Sequence, residues 1–297
     1  MPGRLLVGHP EWTWRTWIKE NDQERDLICL DPGNGEWGWP ARVCLIRADK
    51  IIAWQFVGTL DASRNPIAVL SGLTRFLAIS PNSDVLLFPF RQTPVLRQLA
   101  IACAQIQQPE EVLVPDSTQL ENEPWPVGAE TVELEEPLFK IAREAQRRAR
   151  WIEMIEAGED HEVDWTKVGT AGIRLGSGQM LPVSGFEGWA EYSGPHLHVL
   201  NESDLDDNLA ADLLSRSGTS KMSVVHPEDY VGLICSFAHQ DGSDYGFGVI
   251  RQVDLARKKL IIRCTAVAPS PVRILKVGSV RIDETGIEAE PVKPWSI

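Results

Sequence analysis

The residue types with the clearest chemical meaning lie between Gly8 and Thr16. Arg4-Leu5-Leu6-Val7-Gly8 reads as a short buried strand entering a tight turn, and His9 to Thr16 fills the stretch where a phosphate-cradling loop would stand. Such a loop has the form G-x-x-x-x-G-K-[ST]. Its glycines let backbone N–H groups reach the phosphates, its Lys supplies charge, and its Ser/Thr holds Mg²⁺. With the frame starting at Gly8, Thr13 stands at the second Gly, Trp14 at the Lys and Arg15 at the Ser/Thr, with Thr16 just beyond. No side chain there replaces both a flexible ammonium and a metal-binding hydroxyl. Trp12, Trp14 and Trp17 bring large amphipathic rings to the same stretch. They either fill the core at a helix start, plug a vacant nucleotide pocket, or offer stacking platforms for bases.

Other groupings are less specific. Arg143, Arg147 and Arg150 fall at i, i+4 and i+7 of a helical pattern, a single charged face that is either solvated or aimed at phosphate. His196-Leu197-His198 puts two imidazoles on one strand face, with no third metal ligand evident nearby except Glu191 or Asp204, and no metal site is expected. Asp204, Asp206 and Asp207 suit a helix start or a solvated loop better than a Ca²⁺ site. From Arg251 to Arg281 eight Lys/Arg face the single carboxylate Asp254, either as a phosphate-tracking surface or as a soluble strand exterior. No G-x-S-x-G elbow and no H-E-x-x-H helix is present.

The elements that position these groups follow from periodicity. Short apolar runs at Arg4–Gly8, Leu27–Asp31, Val43–Arg47, Ala53–Val57, Val85–Phe88 and Val112–Val114 read as strands. Helical patterns near Trp12–Glu20, Pro66–Ile79 and Thr93–Gln107 alternate with them, predicting an α/β domain with a mostly parallel sheet and a ligand site at the strand C-termini. In the last helix Val95, Leu99, Ala102 and Ile106 form the expected buried face. Pro115–Pro137 reads as an acidic connecting loop. Leu138–Ala157 is the clearest helix, with Leu138, Ile141, Ala145, Ile152 and Ile155 as its apolar stripe. After Asp164 glycines become frequent and helical periodicity fades, so a β-rich second domain is expected over 164–297, following a first domain over 1–163. Asn208–Leu214 is read as a short helix inside it.

At 297 residues the chain suits about two domains on the usual ~100–200 residues each. A 43% hydrophobic and 24% charged composition is that of a globular protein. No apolar run reaches the ~18 residues of a membrane span and no signal-peptide core is seen, so the expected location is cytoplasmic with no membrane partner. The five dispersed cysteines read as buried thiols. A net charge of −13 argues against non-specific nucleic-acid binding, which needs clustered cations.

In order along the chain, these features resemble the polynucleotide 5′-hydroxyl kinase family, which includes the kinase subunit of pre-mRNA 3′-end cleavage and the pre-ribosomal-RNA-processing kinases. The resemblance spans about Leu5 to Glu288. It is carried by Leu30-Asp31-Pro32-Gly33-Asn34, which resembles the family's D-x-D-x-G-Q signature, then by Trp39-Pro40-Ala41 and by Phe56-Val57-Gly58 to Gly72-Leu73. The closing part is Gly232-Leu233-Ile234, Gly246-Phe247-Gly248-Val249-Ile250, Val253-Asp254, Leu260 and Leu275-Lys276-Val277-Gly278-Ser279-Val280-Arg281. The fold implied is a P-loop-NTPase-like α/β sheet with flanking helices plus a C-terminal β-rich domain.

The resemblance also implies roles. Family members use ATP and Mg²⁺ to phosphorylate an RNA or DNA 5′-hydroxyl, with a signature Asp assisting the hydroxyl or metal and lid-helix arginines neutralising transferred charge. Here Cys29 replaces the first signature Asp, Asp31 keeps the second, and Asn34 stands for Gln. Arg143 and Arg147 fit the lid's R-x-x-x-R spacing. The later strand ends Phe88-Pro89-Phe90-Arg91, without the family's polar pair. The family's β-rich domain ahead of the loop is expected to be absent, because the sequence begins almost at the loop's strand.

The expectation is a catalytically degenerate kinase homologue that binds RNA, another single-stranded nucleic acid or a protein in RNA processing, with no cofactor. Gly8, Trp14, Arg15 and Thr16 are its degenerate loop positions. The alternatives are an active kinase using ATP and Mg²⁺ with Asp31, Arg143 and Arg147 as catalytic groups, and a scaffold without RNA affinity.

Overall fold

We describe the protein from a computed structural model, which covers residues 3–21, 25–90, 93–116, 118, 120–134, 137, 139–265 and 272–291. Arg91 and Leu138 lie outside the described residues. The chain divides into two compact units, Met1–Arg150 and Trp151–Ile297.

In the first unit the elements run β1 (Leu5–Gly8), α1 (Arg15–Asn21), β2 (Leu27–Cys29), β3 (Arg42–Arg47), β4 (Lys50–Phe56), α2 (Pro66–Ile79), β5 (Asp84–Pro89), α3 (Pro94–Gln107), β6 (Val112–Pro115), β7 (Ala129–Val132) and α4 (Lys140–Ala157). They build a seven-stranded sheet ordered β4-β3-β2-β5-β1-β6-β7. The pairs β2–β5, β5–β1, β1–β6 and β6–β7 are parallel, while β3 and β4 extend one edge antiparallel. Every residue of β1 is buried, as expected for a central parallel strand covered on both faces.

Caps fix the helix starts. The Asn65 side chain accepts from Ala68 N ahead of Pro66, and Thr93 accepts from Leu96 N ahead of Pro94. Helix α2 buries Val69, Gly72, Leu73 and Phe76. At Gly72 an added Cβ would stand 2.5 Å from Val43, so the helix lies close on the sheet. The face that α3 buries is Leu96, Leu99, Ala100, Cys103, Ala104 and Gln107. This corrects the expected stripe, because Val95 and Ile106 are exposed. The buried face combines Leu96 and Leu99 with the small side chains of Ala100, Cys103 and Ala104.

A second correction concerns α4. Its Ile141 is 80% exposed, while Arg143, Gln146, Arg147 and Arg150 are half-buried and Trp151 and Met154 fully buried. Polar acceptors, described below, face this helix where a greasy surface was expected.

The second unit continues with β8 (Glu159–Asp164), β9 (Gly169–Ala171), β10 (Gln179–Met180), β11 (Trp189–Ser193), β12 (His196–Leu200), α5 (Asp207–Ser217), β13 (Lys221–Val225), β14 (Leu233–Ala238), β15 (Asp244–Asp254), β16 (Lys259–Cys264) and β17 (Ile274–Arg281). A six-stranded sheet has the order β8-β16-β15-β14-β17-β9, and a four-stranded sheet the order β10-β11-β12-β13. Helix α5, capped by Asp206 as the acidic cluster suggested, joins the parallel pair β12–β13 and packs Leu213 on Leu197 and Val199. The unit boundary falls within α4, earlier than the expected 163/164. The reason is β8, which pairs along its whole length with β16 of the second unit's sheet.

All five cysteines are buried free thiols. Among the described residues no helix is long and apolar enough to cross a membrane.

Candidate functional site

The C-terminal ends of β1, β2 and β5 deliver Gly8, Asp31 and Pro89 to one side of the parallel sheet, where open α/β sheets place their ligands. At Gly8 a Cβ would lie 2.3 Å from the Leu87 carbonyl oxygen, so the strand exit requires glycine. The Phe90 N–H donates to the Gly8 carbonyl at 2.9 Å and closes β5 against this exit.

The loop that follows is occupied by its own side chains. Trp14 is 2% exposed, and its indole N–H donates to the Val7 carbonyl at 2.9 Å. Its ring packs edge-on against Trp17 at 5.4 Å. The Thr13 hydroxyl donates to Glu36 Oε1 at 2.8 Å and accepts from the Arg15 N–H at 3.1 Å. Arg15 and Thr16 are half-buried at the start of the seven-residue α1. The space left among Gly8, Thr13, Trp14 and Glu36 is about 20 Å³, room for about one water. Burial pushes the Glu36 carboxyl above its ordinary pKa, against the opposing pull of the Thr13 hydrogen bond and the Arg15 charge.

Beside the loop, Asp31 sits in a turn built by its own segment. Its Oδ1 accepts from the Gly33 N–H at 2.9 Å and its Oδ2 from Arg143 Nη2 at 2.7 Å. Desolvation raises the Asp31 pKa; Arg143, the Gly33 N–H and Arg147 pull the other way. Asn34 uses its side chain locally, accepting from the Glu36 N–H at 2.7 Å. Helix α4 closes over this turn: at Gly35 a Cβ would stand 3.1 Å from Arg147 N, and Arg150 donates to the carbonyls of Gly35 and Glu36 at 3.0 and 3.3 Å.

A cavity of about 740 Å³ opens here, within the usual range for a ligand site. Asp31, Arg143 and Arg147 line it on one side, and Trp12, Phe88 and Phe139 supply apolar wall. The structure thus brings together Asp31, Arg143 and Arg147, with Gly8 and Trp14 in the smaller space adjoining them. Arg15 and Thr16 line neither space. Glu36 was not anticipated. The signal available was a lone carboxylate among Gly35, Trp37, Gly38 and Trp39, a context that favours burial.

The remaining groupings are structural. His196 Nε2 and His198 Nδ1 share the Ser223 hydroxyl at 3.1 and 3.2 Å, and His198 Nε2 meets the Tyr230 hydroxyl at 3.0 Å. Burial first, then the Arg174 charge, lowers His198 to about 4. Among the described residues no group of three or more His, Cys, Asp or Glu is placed to hold a metal. Five of the eight cations of the basic stretch are ion-paired: Arg251 with Glu284, Arg257 and Lys259 with Glu162, Arg263 with Asp160, and Lys276 with Asp244.

No family model and no curated protein matches the chain. Solved structures do. One, described as the wild-type Clp1p–Pcf11p complex, aligns with 94% of this chain and 74% of that chain at a TM-score of 0.56 and 12% identity. Another, described as the extended interface between Pcf11p and Clp1p and the structural basis for ATP loss in a glycine-to-arginine point mutant, covers 94% and 75% at a TM-score of 0.55 and 11% identity. At such identities the likeness is one of fold. The expected architecture, a mostly parallel α/β sheet with flanking helices and a β-rich C-terminal part, is the one found, and these structures share it.

Proposed function

We propose that this chain is a non-catalytic relative, by fold, of the polynucleotide 5′-hydroxyl kinases, and that it works as a binding module for RNA or a protein in RNA processing. The observation that carries the reading is the interior of the Gly8–Thr16 loop, filled by the Trp14 indole and the Glu36 carboxylate down to about 20 Å³. These groups do not fit a Mg²⁺-bound triphosphate. The backbone acceptor at Val7 and the carboxylate at Glu36 repel phosphate oxygens, and neither an ammonium nor a metal-binding hydroxyl takes the missing positions. Loss of one preorganised transition-state contact costs about 3 kcal/mol, and several are lost together here. In Clp1p a single glycine-to-arginine change accompanies ATP loss, which supports reading bulky replacements as incompatible with the nucleotide.

The larger cavity supports a binding role, since it combines Lys140, Arg143 and Arg147 and the carboxylates of Glu11, Asp31, Asp61 and Glu144 with an apolar wall. A protein partner is favoured by the neighbours' own description as complexes of Clp1p with Pcf11p. The second reading, an active kinase with an altered site, rests on Asp31 paired to Arg143 in the lining of that cavity. Calorimetric titration with ATP–Mg²⁺ is expected to show no saturable binding, and labelled γ-phosphate transfer to a 5′-hydroxyl oligoribonucleotide no rise above a protein-free control. Metal-dependent ATP binding, or transfer abolished by Asp31→Ala, would overturn the proposal in favour of the kinase.

A further inference from the structure

The cavity of about 740 Å³ in the first unit carries charge of both signs, and the charge left unanswered there is negative. Its three cations face carboxylates of the cavity itself. Lys140 stands 3.7 Å from Glu144, Arg143 stands 2.7 Å from Asp31, and the Arg147 charge also acts on Asp31. Glu11 and Asp61 differ from these. Both line the cavity, both are exposed, and neither forms an ion pair among the described residues. Asp61 engages only Oδ1, which accepts from the Ser63 N–H at 2.9 Å and the Ser63 hydroxyl at 2.7 Å.

Beside these two carboxylates lies an apolar wall that includes Trp12, Phe88 and Phe139. Phe139 is 71% exposed, and an aromatic ring held in water at a cavity is an anchoring surface for an apolar group. The volume exceeds that of any single side chain, so a short chain segment fills it better than one group. A polyphosphate brings repeated negative charge to Glu11 and Asp61 and reaches Arg143 only by breaking its pair with Asp31. The net charge of −13 opposes its approach as well. A peptide with large apolar side chains between Lys or Arg residues matches both features. Its apolar groups cover the wall, and its cations meet the two unpaired carboxylates at the polar rim.

We propose that this cavity docks a basic segment of a protein partner, one or two large apolar side chains flanked by Lys or Arg, an assignment that rests on the non-catalytic reading of the same site. Fluorescence anisotropy of the full chain with a labelled peptide GSKWLKRSG at about 0.15 M salt is expected to show saturable binding. Replacing the apolar pair, as in GSKAAKRSG, should weaken it at least about tenfold, the loss of a buried anchor. The acidic peptide GSEWLEESG should bind more weakly than GSKWLKRSG. Glu11→Lys, an exposed change, should weaken GSKWLKRSG at least about threefold, the loss and reversal of one rim charge. Phe139→Ser should narrow the gap between GSKWLKRSG and GSKAAKRSG, and thermal midpoints of both variants report whether the fold is retained. No binding of GSKWLKRSG, equal affinity for GSKAAKRSG or GSEWLEESG, or folded Glu11→Lys or Phe139→Ser proteins that bind all peptides like wild type would each overturn the proposal. Tighter binding of nonauridylate than of GSKWLKRSG would overturn it in favour of RNA. All these outcomes leave the non-catalytic reading standing, whereas metal-dependent displacement of the peptide by ATP would remove that reading itself.

Discussion

Glu36 and Asp31 are two carboxylates buried within one loop system, and the Asp31 charge adds a little to the cost of ionising Glu36. Burial raises each from its ordinary value, so the folded protein holds their protons more firmly than the unfolded chain does. For an acid shifted upward, the stabilising contribution is complete below the unfolded pKa and disappears as pH rises through the folded one. Glu36→Gln removes one such titration while keeping an acceptor for the Thr13 hydroxyl. The variant should therefore gain stability relative to wild type as pH climbs from about 4.3, the ordinary Glu value, and the gain should level off once the wild-type group is fully ionised. Urea denaturation midpoints at a series of pH values check this. A difference independent of pH, or one that grows on acidification, would contradict the burial argument.

Helix α4 shows how an element can be found in the sequence while its orientation is missed. Its arginines at i, i+4 and i+7 were visible, yet its isoleucines suggested a greasy stripe as the packed side. The acceptors that turn the helix over belong to residues more than a hundred positions earlier: Asp31 and the carbonyls of Gly35 and Glu36. No local pattern contains that information. The α3 face was misread for a different reason, because periodicity weighs hydrophobicity, whereas Ala100, Cys103 and Ala104 are buried for their smallness. The corrected orientation of α4 makes a paired prediction. Arg150→Ala should cost about 1–3 kcal/mol by leaving two loop carbonyls without their charged donor, whereas Ile141→Lys should fall within about 0.5 kcal/mol of wild type. Chemical denaturation of both variants decides, and a larger loss at Ile141 would mean that the apolar stripe is the packed one.

Over the whole molecule, the strands of the first sheet and the switch to β-rich texture were legible because short apolar runs between turn residues mark them. The position of Asp31 with Arg143 was legible too, but only through motif order. Glu36 and the ion pairing of the basic stretch were not, since each depends on which strands become neighbours. That pairing decides how the chain can meet RNA. Arg251 to Arg281 looked like a phosphate-tracking surface, but Arg257 and Lys259 converge on Glu162, Arg263 holds Asp160 at 2.6 Å, and Lys276 holds Asp244 at 2.8 Å. Cations already neutralised release few counterions when nucleic acid arrives, and the net charge of −13 opposes long-range attraction. On the proposed reading, binding of single-stranded RNA is expected to rest on stacking and on few phosphate contacts. Each phosphate contact on a single strand adds about 0.7 to the slope of log K against log salt, so the slope should stay below about 2 in magnitude. Fluorescence anisotropy of a labelled oligoribonucleotide across a salt series measures it. A slope steeper than about 3 would mean that the paired cations open to receive phosphate, and that the basic strands, rather than the cavity, carry the interaction.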